Sequence, residues 1–123
     1  MAISLAYWRP LVFKGHTDAA DCRATLERFA LEKHLPPLQW VEERSDVQLP
    51  WRERTLGQSL ARLNKGDYVL VQRLLHLGST LDECCEIMTF LADRQIFFYD
   101  LNSQCHIERE EQFPQWQQAL VAL

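Results

Sequence analysis

Short apolar runs alternate along this chain with stretches whose apolar residues recur every three or four positions. Residues 2–8 (AISLAYW) are apolar with few polar atoms, as in a strand buried on both faces. From Asp18 to about Lys33, Cys22, Leu26, Phe29 and Ala30 recur at helical spacing, with Thr17 or Asp18 as the N-cap. Leu35-Pro36-Pro37 ends that helix, because proline cannot continue it and restricts the residue before it. Leu38–Glu43 (LQWVEE) predicts a second strand. A helix opened by Leu49-Pro50 follows, striped by Leu56, Leu60 and Leu63 and ended by Asn64-Lys65-Gly66. Asp67–Arg73 (DYVLVQR) has the continuously apolar middle of a central parallel strand.

A loop over Leu74–Ser79 leads to Thr80, a predicted N-cap, and to a helix with Leu81, Cys84, Cys85, Met88, Leu91 and Ala92 on one broad face. Ile96–Tyr99 (IFFY) predicts a fourth strand. Residues 112–123 predict a short amphipathic helix with Phe113, Trp116, Leu120 and Leu123 on its apolar side and Pro114 near its first turn. This β-α-β-α-β-α-β-(α) order implies right-handed crossovers onto a parallel sheet. The expected fold is therefore one α/β domain over residues 1–123, a three-layer sandwich around a mostly parallel four-stranded sheet.

Composition narrows the partners. Thirteen Lys and Arg stand against seventeen Asp and Glu, a net charge of −4. A nucleic-acid binder usually carries a basic excess, since phosphate neutralisation supplies most of its non-specific affinity. Nucleic acid is thus disfavoured as the main partner. No run approaches the roughly 18 apolar residues of a membrane span, and the start lacks a charged n-region before its apolar stretch, so a cytoplasmic protein without membrane attachment is expected. Cys22, Cys84, Cys85 and Cys105 form no CxxC hook, which reads as free thiols rather than a metal centre. No cofactor fingerprint is present: GxGxxG, GxxxxGK[ST] and GxSxG are all missing.

Ligands of such sheets bind beyond the carboxyl ends of the strands. There, Gly66-Asp67-Tyr68-Val69-Leu70-Val71-Gln72-Arg73-Leu74-Leu75-His76-Leu77-Gly78-Ser79 resembles the serine recombinase (resolvase/invertase) catalytic domain, and the similarity runs ungapped through the next helix to Ile96. Tyr7-Trp8-Arg9 is similar to that family's first-strand motif Y-x-R-x-S. The resemblance covers about residues 1–101 and implies the resolvase catalytic-domain fold. It also implies a serine that attacks a DNA phosphate, arginines that neutralise the transition state, and an Asp-Arg pair beside them.

The departures from that pattern are specific. Leu11 stands at the serine position when read without a gap; with an insertion the place falls near His16-Thr17. The motif Asp is Leu75, the following Arg is His76, and the final Arg is Ser79. A further family arginine falls at Glu53, with Arg52 and Arg54 each one residue off, and Arg9 alone is retained cleanly. Removing one oxyanion-type donor costs about 10²–10³ in rate, so the losses together imply a catalytically inactive member. The family's long dimerising helix and helix-turn-helix domain are also missing from this sequence.

Each remaining candidate has a plain structural alternative. Arg9 either holds an anion or pairs with an acid such as Glu43 or Asp46. Thr17 serves as a nucleophile only with a base and cationic support, whereas as an N-cap it needs one backbone N–H. His76 is expected at the surface, and Cys84 and Cys85 in the core. Arg52, Arg54, Arg62 and Lys65 are expected on a solvated helix face. Trp51, Phe113, Trp116 and Leu120 are candidates for an aromatic anchor to a partner. The resulting expectation is not an enzyme but a protein-interaction or regulatory module, binding another protein or itself. The alternatives are residual DNA binding through Arg9, Lys14, Arg52, Arg54 and Arg73 at one rim, or modulation of an active recombinase in DNA recombination.

Overall fold

A computed structural model of the chain describes residues 2–10, 19–43, 49–78, 80–102 and 105–120. Among these residues, five strands form one sheet in the order β2-β1-β3-β4-β5, with β1 Ser4–Trp8, β2 Leu38–Glu42, β3 Tyr68–Val71, β4 Phe97–Asp100 and β5 Cys105–Ile107. The first four are parallel. β5 runs antiparallel to β4 and pairs Phe98 with Ile107 and Asp100 with Cys105. The three-layer, mostly parallel α/β sandwich expected from the sequence is what the chain adopts, with a fifth, edge strand in place of the four expected.

Among the described residues, three α-helices cover the sheet: α1 Ala19–Glu32, α2 Thr55–Ala61 and α3 Leu81–Asp93. Alternation along the strands sends side chains to opposite faces, and two cores result. Ala6, Leu70 and Tyr99 face Leu26 and Ala30 of α1. Leu5, Tyr7, Val69, Val71 and Phe98 face Leu56 and Leu60 of α2 and Cys84, Ile87, Met88 and Leu91 of α3. Because β1 and β3 are packed on both sides, their runs are, Ser4 apart, apolar on both faces rather than alternating.

The helix ends follow local chemistry. Thr80 caps α3, its hydroxyl accepting from the Glu83 backbone N–H at 3.1 Å. α1 and α3 close the same way, with His34 and Gln95 left-handed (φ 56° in both) and the next N–H returning five residues, Leu35 to Ala30 and Ile96 to Leu91. Gly66 takes φ 90° in the turn before β3. There its N–H reaches the Gln95 carbonyl at 3.0 Å, a conformation that disfavours any side chain.

Three segments depart from expectation. Residues 51–53 and 74–76 are 3-10 turns, not helix start and loop, and the C-terminal segment Glu110–Leu120 is 3-10 helix broken at Gln115 rather than an α-helix. Pro114 removes a backbone donor in its middle, which prevents a regular α-helical ladder. Leu81, expected on the packed face of α3, is 57% exposed, because it opens the helix one turn before Cys84 reaches the sheet. No helix among the described residues is long and apolar enough to cross a membrane.

Candidate functional site at the strand ends

The carboxyl ends of β1, β3 and β4 bring together Arg9, the Leu74–His76 turn and Asp100. Asp100 is 3% exposed, and its carboxylate accepts the Leu74 N–H at 3.2 Å and the Asn102 N–H at 3.0 Å. It thereby fixes where the 3-10 turn begins. Sequence reasoning passed over Asp100; the signal was an acid immediately after the apolar run of β4.

Arg9 is buried, and its Nη2 donates to the Leu75 carbonyl at 3.2 Å. Of the acids expected to pair with it, Glu43 instead accepts the Leu56 N–H at 3.0 Å, near the N-terminus of α2, and Asp46 lies outside the described residues. Arg54 is buried as well, a correction to its expected place on a solvated face. The turn Trp51–Glu53 folds under α3 and carries Arg54 inward behind it. Its guanidinium donates to the Tyr7 hydroxyl at 3.2 Å, to the Leu77 carbonyl at 2.7 Å and to Glu83 Oε1 at 2.9 Å. Burial lifts the Tyr7 phenol far above the usual tyrosine value, against the pull of Arg54, so it stays a neutral hydroxyl.

His76, expected at the surface, is 1% exposed and lies beside Trp8 with ring centroids 6.3 Å apart. It is drawn in because the 3-10 turn tucks Leu74, His76 and Leu77 under the strand ends while leaving Leu75 half-buried. Arg73 is half-buried at the end of β3. Arg52 remains exposed, but on the opposite side of the turn, stacked over Trp51 at 4.4 Å and near Phe90 at 5.9 Å. Of the five cations considered for DNA, the four described do not form one exposed rim: Arg9 and Arg54 are inside, Arg52 stacks on Trp51 beside α3, and Arg73 is half-buried. Lys14, Leu11, Thr17 and Ser79 lie outside the described residues.

Two of the aromatic candidates, Trp51 and Phe113, are corrected too. Trp51 is 2% exposed, its indole N–H donating to Glu86 at 3.1 Å and its ring edge-on to Phe90. Phe113 is buried in a stack with Phe97, and Trp116 is half-buried against the same core. These rings serve the fold because the sheet's α3 side has apolar area that the C-terminal segment covers. The Leu120 side chain lies outside what is described. Cys84 is fully buried as expected, whereas Cys85 is half-buried and borders a groove of about 600 Å³ with Arg52, Phe90 and Arg94.

Chemically, the described strand ends form a clamp: two guanidiniums and one carboxylate hold the backbone of residues 74–77. Among the described residues no group of three or more His, Cys, Asp or Glu is placed to hold a metal ion. No protein-family model and no curated protein matches the chain. A solved structure does: the crystal structure of the N-terminal catalytic domain of TP901-1 integrase is similar over 98% of this chain and 92% of that one. The TM-score is 0.68 at 16% sequence identity, a likeness of fold. The chain carries the serine recombinase-like, resolvase catalytic-domain fold.

Proposed function

We propose that this chain is a catalytically inactive domain of resolvase-like fold that acts by binding another protein, as an interaction or regulatory module. One observation carries the reading. The cations at the strand ends are turned inward onto backbone carbonyls, Arg9 onto Leu75 and Arg54 onto Leu77. Electrostatic stabilisation of a phosphoryl transition state needs donors aimed at the reacting group instead. Leu75, His76 and Ser79 stand where the resembled family places its acid and two arginines, and its serine position falls at Leu11 or, with an insertion, near Thr17. The intact core patterning, with apolar residues kept on both faces of β1 and β3, supports a folded scaffold still in use.

The test is DNA cleavage on supercoiled plasmid together with fluorescence anisotropy on a random duplex and a single strand, at low and physiological salt. The expected result is no nicking and no binding even at low salt, where charge attraction is least screened. Nicking abolished by Thr17→Ala overturns inactivity. Binding that weakens steeply with salt replaces the protein-binding reading with residual DNA binding.

A further inference from the structure

Arg52, Glu86, Phe90, Asp93 and Arg94 line the groove of about 600 Å³ on α3. Glu86, Phe90 and Arg94 recur every fourth residue, so the groove follows the helix for about two turns, roughly 12 Å. The Arg52 guanidinium lies over the Trp51 ring at 4.4 Å and the Phe90 ring at 5.9 Å, and that of Arg94 over Phe90 at 4.5 Å. Stacking holds each fork by its flat face and leaves the N–H groups at its edge for a ligand. Neither arginine is ion-paired among the described residues, although Glu86 and Asp93 line the same groove. Acids outnumber bases in this chain, seventeen to thirteen, so two cations held on rings instead of carboxylates stand out. We propose that this groove binds an acidic peptide segment of a partner protein, its carboxylates taken by Arg52 and Arg94. The proposal rests on the protein-binding reading and names its surface and the partner's chemistry.

The mixture of charges in the groove selects a peptide over a phosphate-bearing ligand. Carboxylate and phosphate both match the guanidinium fork. Phosphate offers only acceptors and concentrates its charge, which Glu86 and Asp93 would repel. A nucleic-acid backbone would require a positive face, and this groove carries two acids beside its two bases. A peptide brings donors as well as carboxylates: its backbone N–H groups suit the two acids. Glu86 is already oriented for this. Its Oε2 accepts the Trp51 indole N–H at 3.1 Å, which fixes the carboxylate at the groove wall and leaves Oε1 to accept from a peptide. Asp93 is exposed at the last turn of α3, beside Arg94.

Titration of the full chain with a blocked diglutamate peptide, followed by NMR at the arginine Nε–H signals, tests the site. The expected outcome is a saturable shift at Arg52 and Arg94. The dissociation constant should rise about tenfold in Arg52→Gln and in Arg94→Gln, as for loss of a charge-assisted hydrogen bond. Arg28→Gln, which removes an exposed cation on α1, should leave the affinity unchanged. Arg52 and Arg94 are exposed, so both variants should stay folded, and either alone reads the effect. Inorganic phosphate, of similar charge, should bind more weakly than the peptide; tighter phosphate binding overturns the choice of a peptide. No shift at Arg52 and Arg94, or an affinity indifferent to both substitutions, overturns the site. Such a failure leaves the protein-binding reading in place, because the DNA measurements above decide that reading separately.

Discussion

The Arg54 guanidinium and the Leu77 carbonyl, 23 residues apart, are joined by a 2.7 Å hydrogen bond inside the protein. The same guanidinium meets Glu83 at 2.9 Å, with 3% and 19% of the two side chains exposed. One side chain thus ties the turn before α2 to the strand-end loop and to the first turn of α3.

Replacing Arg54 tests how much of the fold depends on this tie. Arg54→Ala leaves Glu83, the Tyr7 hydroxyl and the Leu77 carbonyl short of a partner. Breaking one side of a buried pair costs about 3–5 kcal/mol. Arg54→Lys should recover only part of that, since an ammonium cannot reproduce the planar fork. Urea unfolding of the two variants measures both, and an Arg54→Ala loss within that of an ordinary surface substitution contradicts the clamp.

Gly57 sits in α2, where alanine is ordinarily favoured by roughly 1 kcal/mol. Here a Cβ would lie 2.6 Å from the Trp51 carbonyl oxygen and closer still to that of Arg52, both backbone atoms that cannot swing aside. Gly57→Ala is therefore expected to destabilise by about 1–3 kcal/mol, the usual cost of overpacking. Thermal unfolding reads the sign directly, and a raised melting temperature disproves the close approach.

Thiol chemistry should separate the adjacent cysteines. Burial, reinforced by the Glu83 charge, pushes the Cys84 thiol up to about 11, and the side chain is fully enclosed. Cys85 is half-buried at the groove on α3. In the folded protein an aromatic disulfide reagent should label Cys85 while Cys84 and the buried Cys22 react only on unfolding. Rapid labelling of Cys84 in a Cys85→Ala, Cys105→Ala background would be the contrary result.

His106 gives stability a pH dependence. Burial against Phe29 and Tyr99 holds its imidazole below the ordinary histidine value of 6.5, with Lys33 adding to the effect and Glu108 and Asp100 opposing it. As pH falls through that value the unfolded chain takes up a proton before the folded one does. The contribution is therefore whole above 6.5 and is lost as pH drops toward the folded value. His106→Phe keeps the ring packing and should flatten that part of the profile. Urea midpoints at neutral pH and about one unit below the ordinary value compare the two, and equal slopes refute the assignment.

Much of the fold was legible because the strands and helices announce themselves by period. β1 and β3 are apolar runs and α3 a wide apolar stripe, and the four parallel strands and three helices follow in the expected order. β5 escaped because three residues, Cys105–Ile107, are too few for alternation to register. The candidate site was harder. Arg54 lies in Trp51-Arg52-Glu53-Arg54, a stretch whose charges suggest solvent, and only the 3-10 turn that buries Trp51 sends Arg54 inside. The same holds for His76, whose burial depends on a turn held by Asp100, 24 residues further on. Periodicity reports which face an element buries; it carries no information about loops held by distant side chains.

The position of β1 between β2 and β3 also constrains how the molecule is made. The Tyr68 N–H must find the Ile3 carbonyl, and the Ile3 N–H the Asp67 carboxylate, the latter pair 64 residues apart in sequence. During synthesis the first strand can pair with β2 alone until β3 has left the ribosome, so an apolar edge stays open until then. Chains whose contacts are this distant in sequence fold slowly and expose strand edges while they wait. For this protein, the early ribosome-bound half-sheet is the species whose open edge is exposed to wrong pairing.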